Sequence, residues 1–331
     1  MQSFEFENAL KKIPRIDLAA AKPTPLYRLA KLEKEWGYPQ IYIKRDDLTG
    51  LGQGGNKVRC LEYLLADAEK QGADMIIAGG GSQSNLCSLT AAACALTGLP
   101  CELVMNDAEP KRAEGNLLLD RLCGAQVRHI GPVSFQERNA FMEELAEKYR
   151  LSGRRPYVIR NGASTGMGAL GYAEAAAEIA EQCRGMNIGR LSLFCPGGNG
   201  GVAAGLIYGN AMIGSPLDII VISVEDEKDV LEEHIRGIIS EEEQIVGMKP
   251  ASGEDYKYII SDSCTGGGWG IDSRESLEMV RSFASAQGLF VEKVYTSKVL
   301  VGMKDMLTGG AIKGPACFLH TGGLASLFAQ F

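Results

Sequence analysis

No apolar run in the 331-residue chain approaches the ~20 residues that a membrane span requires, so no transmembrane helix is expected. Basic charge is not in excess either. Lys and Arg number 34 against 41 Asp and Glu, a net charge of −7. That balance argues against a nucleic-acid partner, whose recognition needs a basic patch or stripe, and favours solubility. The N-terminus Met1-Gln2-Ser3-Phe4-Glu5 lacks the basic start and apolar block of a secretory signal. Histidine is scarce: His129, His234 and His320 have no metal-ligand spacing, and no metal site is expected. The nine cysteines are odd in number and include no CxxC pair. They argue against a disulfide framework or zinc and for a reducing, cytoplasmic setting.

What the chain has in quantity is glycine, 41 residues, in an otherwise ordinary globular composition of 45% hydrophobic and 23% charged residues. At about 150 residues per domain the length predicts ~2 domains. Short apolar runs alternate with helical patterns: strands at 41–44, 75–78, 102–105, 126–130, 157–159, 191–194 and 219–222, with helices over 60–68, 85–96, 137–149 and from about 169. Continuous apolar strands between amphipathic helices predict an α/β fold with open twisted, mostly parallel sheets flanked by helices. Ligands of such sheets bind outside the carboxyl ends of the strands. The Arg154-Arg155-Pro156 stretch reads either as a domain crossing or as a loop within one domain.

Five segments carry candidate chemistry. Gly54-Gly55-Asn56-Lys57 sets a lysine in a glycine bend, where its amine can bind phosphate or condense with a carbonyl. Gly79-Gly80-Gly81-Ser82-Gln83-Ser84-Asn85 opens a helix with more polar groups than an N-cap needs, which suits an anion. Pro196-Gly197-Gly198-Asn199-Gly200-Gly201, between a buried strand and a helix, can cradle a phosphate with its backbone N–H groups. It has no Walker lysine and fails the GxGxxG spacing at Ala203; Glu225 and Asp226, at the end of the next strand, are all that supports a dinucleotide. Val294-Tyr295-Thr296 and His320-Thr321-Gly322-Gly323 complete the set, with Tyr295 either an acid/base or stacking group or a packing residue. Pyridoxal 5'-phosphate satisfies these loops together: an aldehyde for Lys57, a phosphate for Gly198–Gly201, and amino-acid substrates whose carboxylate suits Ser82–Asn85.

Taken in order, Thr24-Pro25-Leu26, Lys44-Arg45-Asp46-Asp47, Gly54–Lys57, Gln83-Ser84-Asn85, Gly168-Ala169-Leu170-Gly171-Tyr172, the glycine loop, Val294–Thr296 and His320–Gly323 resemble the D-cysteine desulfhydrase / 1-aminocyclopropane-1-carboxylate deaminase family. That family belongs to the tryptophan-synthase-β-like, fold type II pyridoxal-phosphate enzymes. The resemblance implies a large cofactor-binding domain (1–50 and 165–331), a small domain (51–164) with the active site in the cleft, and a homodimer. It makes Lys57 the Schiff-base lysine that also moves the Cα proton. Asn85 would bond the ring hydroxyl of the cofactor, and Gly198, Asn199, Gly200 and Gly201 its phosphate. Thr296 or Thr321 would face the pyridine nitrogen. Ser82, Gln83 and Ser84 would hold the substrate carboxylate, with Ser84 a possible proton-transfer group, and Tyr295 would lie near the leaving group.

The chain departs from that pattern at several positions. Cys60 stands where the family often has a second lysine, Val202 replaces a phosphate-loop threonine, and Leu86 replaces a polar residue. Trp269 stands for a tyrosine, and Thr296 for the deaminases' glutamate. Leu86 and Trp269 make the expected substrate pocket more apolar. The expectation is a lyase performing α,β-elimination on a small amino acid, D-cysteine or a related sulfur amino acid, to give pyruvate, ammonia and the leaving group. A racemase or cyclopropane-type deaminase is the alternative, and a nucleotide-binding oxidoreductase the remote one.

Overall fold

The computed structural model describes residues 2–251, 256–268 and 270–331. Trp269 lies outside the described residues. The strands are β1 (Leu26–Arg28), β2 (Ile41–Arg45), β3 (Met75–Gly80), β4 (Cys101–Met105), β5 (Gln126–His129), β6 (Pro156–Val158), β7 (Leu191–Gly197), β8 (Leu217–Ser223), β9 (Tyr258–Ser261) and β10 (Ala316–His320). Six form one sheet in the order β1-β2-β10-β7-β8-β9, and four form another in the order β5-β4-β3-β6. Every pairing is parallel except β1 with β2. The expected mostly parallel α/β architecture is what the chain adopts. β1 was not legible because three residues carry too little pattern, and β9, Tyr258–Ser261, was not picked out either.

Central strands β7, β8 and β10 are buried on both faces, as their unbroken apolar runs require. Register sets Phe318 beside both Phe194 and Ile43, and Leu193 beside Ile219. Arg154–Pro156 joins the helix Phe135–Leu151 to β6 of the same sheet, so this stretch is a loop between neighbouring elements. Among the described residues, no helix is long and apolar enough to cross a membrane.

A buried polar network locks the helix Asn56–Lys70 against the six-stranded sheet. Arg59, fully buried, donates Nε and Nη2 to the two Asp46 oxygens at 2.8 and 2.9 Å and both Nη atoms to Glu178 at 3.0 and 2.9 Å. Thr24 Oγ1 and Tyr172 OH also donate to Asp46, each at 2.7 Å, and Lys44 pairs with Glu178. Burial alone would raise the Asp46 pKa, but the Arg59 guanidinium holds it well below the usual carboxylate range. Arg59 lies two residues from Lys57 on the same helix, so the network sets where Lys57 points.

Candidate active site

The Lys57 loop is built by backbone contact. Gly55 bridges antiparallel to Gly322, and Asn56 N donates to Thr321 O at 3.0 Å. Gly54 has φ +74°, and a Cβ there would lie 1.9 Å from Asp47 O. Only glycine satisfies both the dihedral and the approach. The 54–57 and 320–323 segments, far apart in the chain, therefore form one wall.

Lys57 Nζ donates to Gly162 O at 2.6 Å. A Cβ on Gly162 would lie 3.0 Å from Asn199 Nδ2, so the residue that receives Lys57 also packs against the glycine loop. Burial pushes the Lys57 pKa down, with Glu225 and Cys60 opposing. The amine is thereby held toward its neutral, nucleophilic form. Cys60 is itself buried, its Sγ against Asn56 O and its thiol pKa raised by burial.

Residues 198–200 precede the twelve-residue helix Gly201–Met212, whose N-terminal N–H groups suit an anion. Gly200 has φ +84°, and the Cβ position of Gly201 lies about 3 Å from Ser164. The Cβ position of Gly198 lies 3.3 Å from both Glu225 Oε1 and Tyr295 Cε1, which places those two side chains at the loop. Burial, reinforced by Asp226, pushes the Glu225 pKa up to about 7 against the pull of Lys298 and Lys57.

Asn85 begins the helix Asn85–Thr97, capped by Ser84, whose Oγ accepts from Cys87 N at 3.3 Å. Asn85 Oδ1 accepts from Asn116 Nδ2 at 2.9 Å. Its Nδ2 lies 3.3 Å from the Cβ position of Gly323, on the Thr321 side of the site. Buried Asn116 also donates to Gln83 O and accepts from Gln53 Nε2, so one amide holds three segments.

Other expected site residues take different partners. Ser82 Oγ and N donate to Asp107 at 2.9 and 2.6 Å, and the Gln83 side chain bonds Glu114 O and Asn116 N. Their side chains face protein, which leaves the Ser84 hydroxyl and the helix start for a carboxylate. Leu86 is 3% exposed within the main apolar cluster. Val202, in the first turn after the glycine loop, is buried in the same cluster. Thr296 Oγ1 accepts from Glu292 N at 2.8 Å and donates to Glu292 Oε1 at 3.1 Å, and Glu292 Oε1 also accepts the Tyr295 and Thr296 N–H groups at the start of the helix Thr296–Thr308. Thr321, buried just after β10, accepts the Asn56 N–H at its backbone carbonyl. His320 Nδ1 accepts from Gly322 N at 3.2 Å, so Nε2 carries the proton donated to Phe290 O; burial depresses its pKa.

Gly162, Glu225 and Glu292 escaped assignment from sequence. By sequence Glu225 offers only a ribose-binding acid, and nothing local in Asn161-Gly162-Ala163 announces a partner 105 residues away from Gly162.

The residues present fit pyridoxal phosphate. The lysine is held toward neutrality, the glycine loop admits no side chain at Gly201 without displacing Ser164, and Asn85 keeps an amide donor on the Gly323 side. A lysine so held, on a residue that also packs against the loop before an anion-binding helix start, is suited to capture a phosphorylated aldehyde and so marks a cofactor-dependent enzyme. The chain belongs to the pyridoxal-phosphate dependent enzyme family, whose model matches residues 18–322. It is 35% identical over 320 residues to a "putative 1-aminocyclopropane-1-carboxylate deaminase" of Pyrococcus horikoshii, covering 96% of this chain and 94% of that protein. A solved structure of an ACC deaminase homologue superposes with TM-score 0.89 at 33% identity, over 98% of this chain and 96% of that one. Threonine deaminase isoform 2 of Solanum lycopersicum shares the fold (TM-score 0.69, 16% identity, 97% of this chain and 89% of that one). The fold is that of the type II enzymes, and the cofactor is pyridoxal 5'-phosphate.

Proposed function

We propose that the protein is a lyase performing α,β-elimination on a small amino acid with a β-leaving group, D-cysteine or a related sulfur amino acid, to yield pyruvate, ammonia and the leaving group. The observation that carries this reading is the Lys57 amine, held at 2.6 Å on Gly162 O beside the glycine loop and pushed toward neutrality by burial. When bound, the cofactor supplies an electron sink for the carbanion at Cα.

The rest falls to side chains. Lys57 binds the cofactor's aldehyde and moves the Cα proton. Gly198, Asn199, Gly200 and Gly201 hold the phosphate at the start of the helix Gly201–Met212. Asn85 orients the ring through Nδ2, its Oδ1 being fixed by Asn116. Thr321 faces the pyridine nitrogen in preference to Thr296, whose hydroxyl is engaged with Glu292. A neutral hydroxyl at that place suits elimination. Ser84 binds the carboxylate and Tyr295 stands at the leaving group. Residues 51–164 form the smaller of two domains, and two copies pair as a homodimer.

A second reading, a 1-aminocyclopropane-1-carboxylate deaminase, is favoured by the name borne by the Pyrococcus horikoshii relative. Against it stands Thr296 where the deaminases carry a glutamate, and Trp269 where they carry a tyrosine. The test is a panel of D- and L-amino acids with β-leaving groups beside the cyclopropane amino acid, scored for pyruvate and for 2-oxobutanoate. Pyruvate from a sulfur amino acid supports the lyase. 2-Oxobutanoate alone overturns it, and inversion without keto acid marks a racemase.

A further inference from the structure

Lys298, two residues after Thr296, is 1% exposed. Its Nζ donates to Val224 O at 2.8 Å, Thr265 O at 2.6 Å and Gly268 O at 3.2 Å. An ammonium has three N–H donors, and all three end on backbone carbonyls. Among the described residues, no carboxylate lies within ion-pairing distance of it. Burial lowers its pKa, opposed through space by Asp272, Glu225 and Glu292.

The chain is shaped to make this cage. Gly266, Gly267 and Gly268 have φ of +66°, +96° and +135°, a succession that side-chain-bearing residues do not adopt. The Cβ position of Gly266 lies 3.1 Å from Ile271 O and 3.5 Å from Lys298 Nζ, so a left-handed dihedral and a tight backbone contact both favour glycine there. The bend turns the Thr265 and Gly268 carbonyls onto one point, where Val224 O meets them from the end of β8.

A single positive charge inside backbone carbonyls is also the coordination of potassium or ammonium, whose hydration shell such oxygens replace. We propose that Lys298 is a tethered cation: its ammonium fills a monovalent-cation site. It thereby acts as a positioning residue, holding the 265–268 bend and Val224 against the helix start that carries Tyr295 and Thr296. Glu225 follows Val224 directly, so the cage sets the backbone from which Glu225 projects. The native protein then needs no potassium, and removing the side chain creates a potassium requirement.

The test uses the cofactor-loaded protein in buffer whose only monovalent cation is tetramethylammonium, too large for the cage. Thermal midpoint and the substrate KM and kcat are read for wild type, Lys298→Ala, Lys298→Met and Lys298→Gln while KCl, NH4Cl or LiCl is added. Three orphaned carbonyls lower the Lys298→Ala midpoint by roughly 5 °C or more. Potassium or ammonium restores most of that loss saturably, as a ligand of the folded state does, and lithium does not. KM recovers in parallel. Lys298→Met shows the loss without the rescue, because its stem blocks the space. Wild type gains no more from potassium than from lithium.

The proposal falls if Lys298→Ala responds to potassium no more than wild type does, or if wild type itself requires potassium. Should Lys298→Ala fail to accumulate, Lys298→Gln decides the matter. It keeps hydrogen bonding but drops the charge, and a midpoint equal to wild type in tetramethylammonium overturns the idea. The midpoints need no substrate, so they stand or fall separately from the lyase reading.

Discussion

Lys57 Nζ and Gly162 O meet at 2.6 Å, joining the helix Asn56–Lys70 to the short turn Asn161–Ala163. This contact fixes the Lys57 amine, and burial lowers its pKa.

Cofactor capture therefore follows pH in a definite direction. Burial lowers the Lys57 pKa from its ordinary 10.5, so the neutral amine is present at lower pH than for an exposed lysine. Uptake of pyridoxal phosphate by the apoprotein, followed by absorbance, should rise with pH and level off below 10.5. Glu225→Gln removes an anion that favours the charged lysine and should move the profile to lower pH. A profile unchanged by Glu225→Gln would show that the two groups do not interact. Lys57→Ala should leave no visible absorbance of bound cofactor.

Gly54→Ala should be severely destabilising. The added methyl would lie 1.9 Å from Asp47 O at φ +74°, so both backbone and contact must yield. A loss of about 3 kcal/mol or more is expected from overpacking plus left-handed strain. Denaturant unfolding measures it, and a cost below about 1 kcal/mol would mean that the 46–55 segment shifts freely.

Arg59→Met removes the guanidinium that joins buried Asp46 to Glu178 and leaves Asp46 only the Thr24 and Tyr172 hydroxyls, with Lys44 paired to Glu178. Breaking one side of a buried ion pair costs about 3–5 kcal/mol, and that is the expected loss. The variant that folds should also bind cofactor more weakly, since Lys57 shares the helix. Cofactor titration after refolding checks the second effect independently of the first.

Asp120 gives the stability a pH dependence. It is fully buried on the helix Gly115–Leu122, neither oxygen has a hydrogen-bond partner, and burial pushes its pKa up to about 8. A carboxyl whose folded pKa is raised contributes most below its unfolded pKa of about 4 and loses that contribution as pH rises through about 8. Asp120→Asn does not titrate. Its midpoint relative to wild type should climb between pH 4 and 8 and stay level above, whatever the offset at low pH. A difference independent of pH would show that Asp120 titrates as an exposed carboxyl does.

Strand-to-glycine-to-helix junctions were legible because they depend on neighbours in the chain. A buried strand leaving the sheet needs an abrupt turn, glycine permits it, and the following helix start offers N–H groups. That logic located the loops at 79–85 and 196–201 and the lysine at 57. Side-chain direction was less legible. Ser82 and Gln83 looked like ligand donors, yet Asp107 and Asn116 engage them from later segments. Thr296 looked like a ring contact, yet it exchanges hydrogen bonds with Glu292 four residues before it. In each case a local donor or acceptor had a partner that composition could not reveal.

From its amino acids alone the chain determines a mostly parallel α/β fold, glycine bends outside the strand ends and a lysine set in one of them. Those are consequences of hydrophobic period and backbone freedom, which act over a few residues. Tertiary structure decided the rest: that Gly162 receives Lys57, that Glu225 stands at Gly198, and that Lys298 sits among carbonyls from two other segments. These pairings depend on burial, which removes water as the competing partner, and burial is a property of the assembled layers rather than of any stretch of sequence.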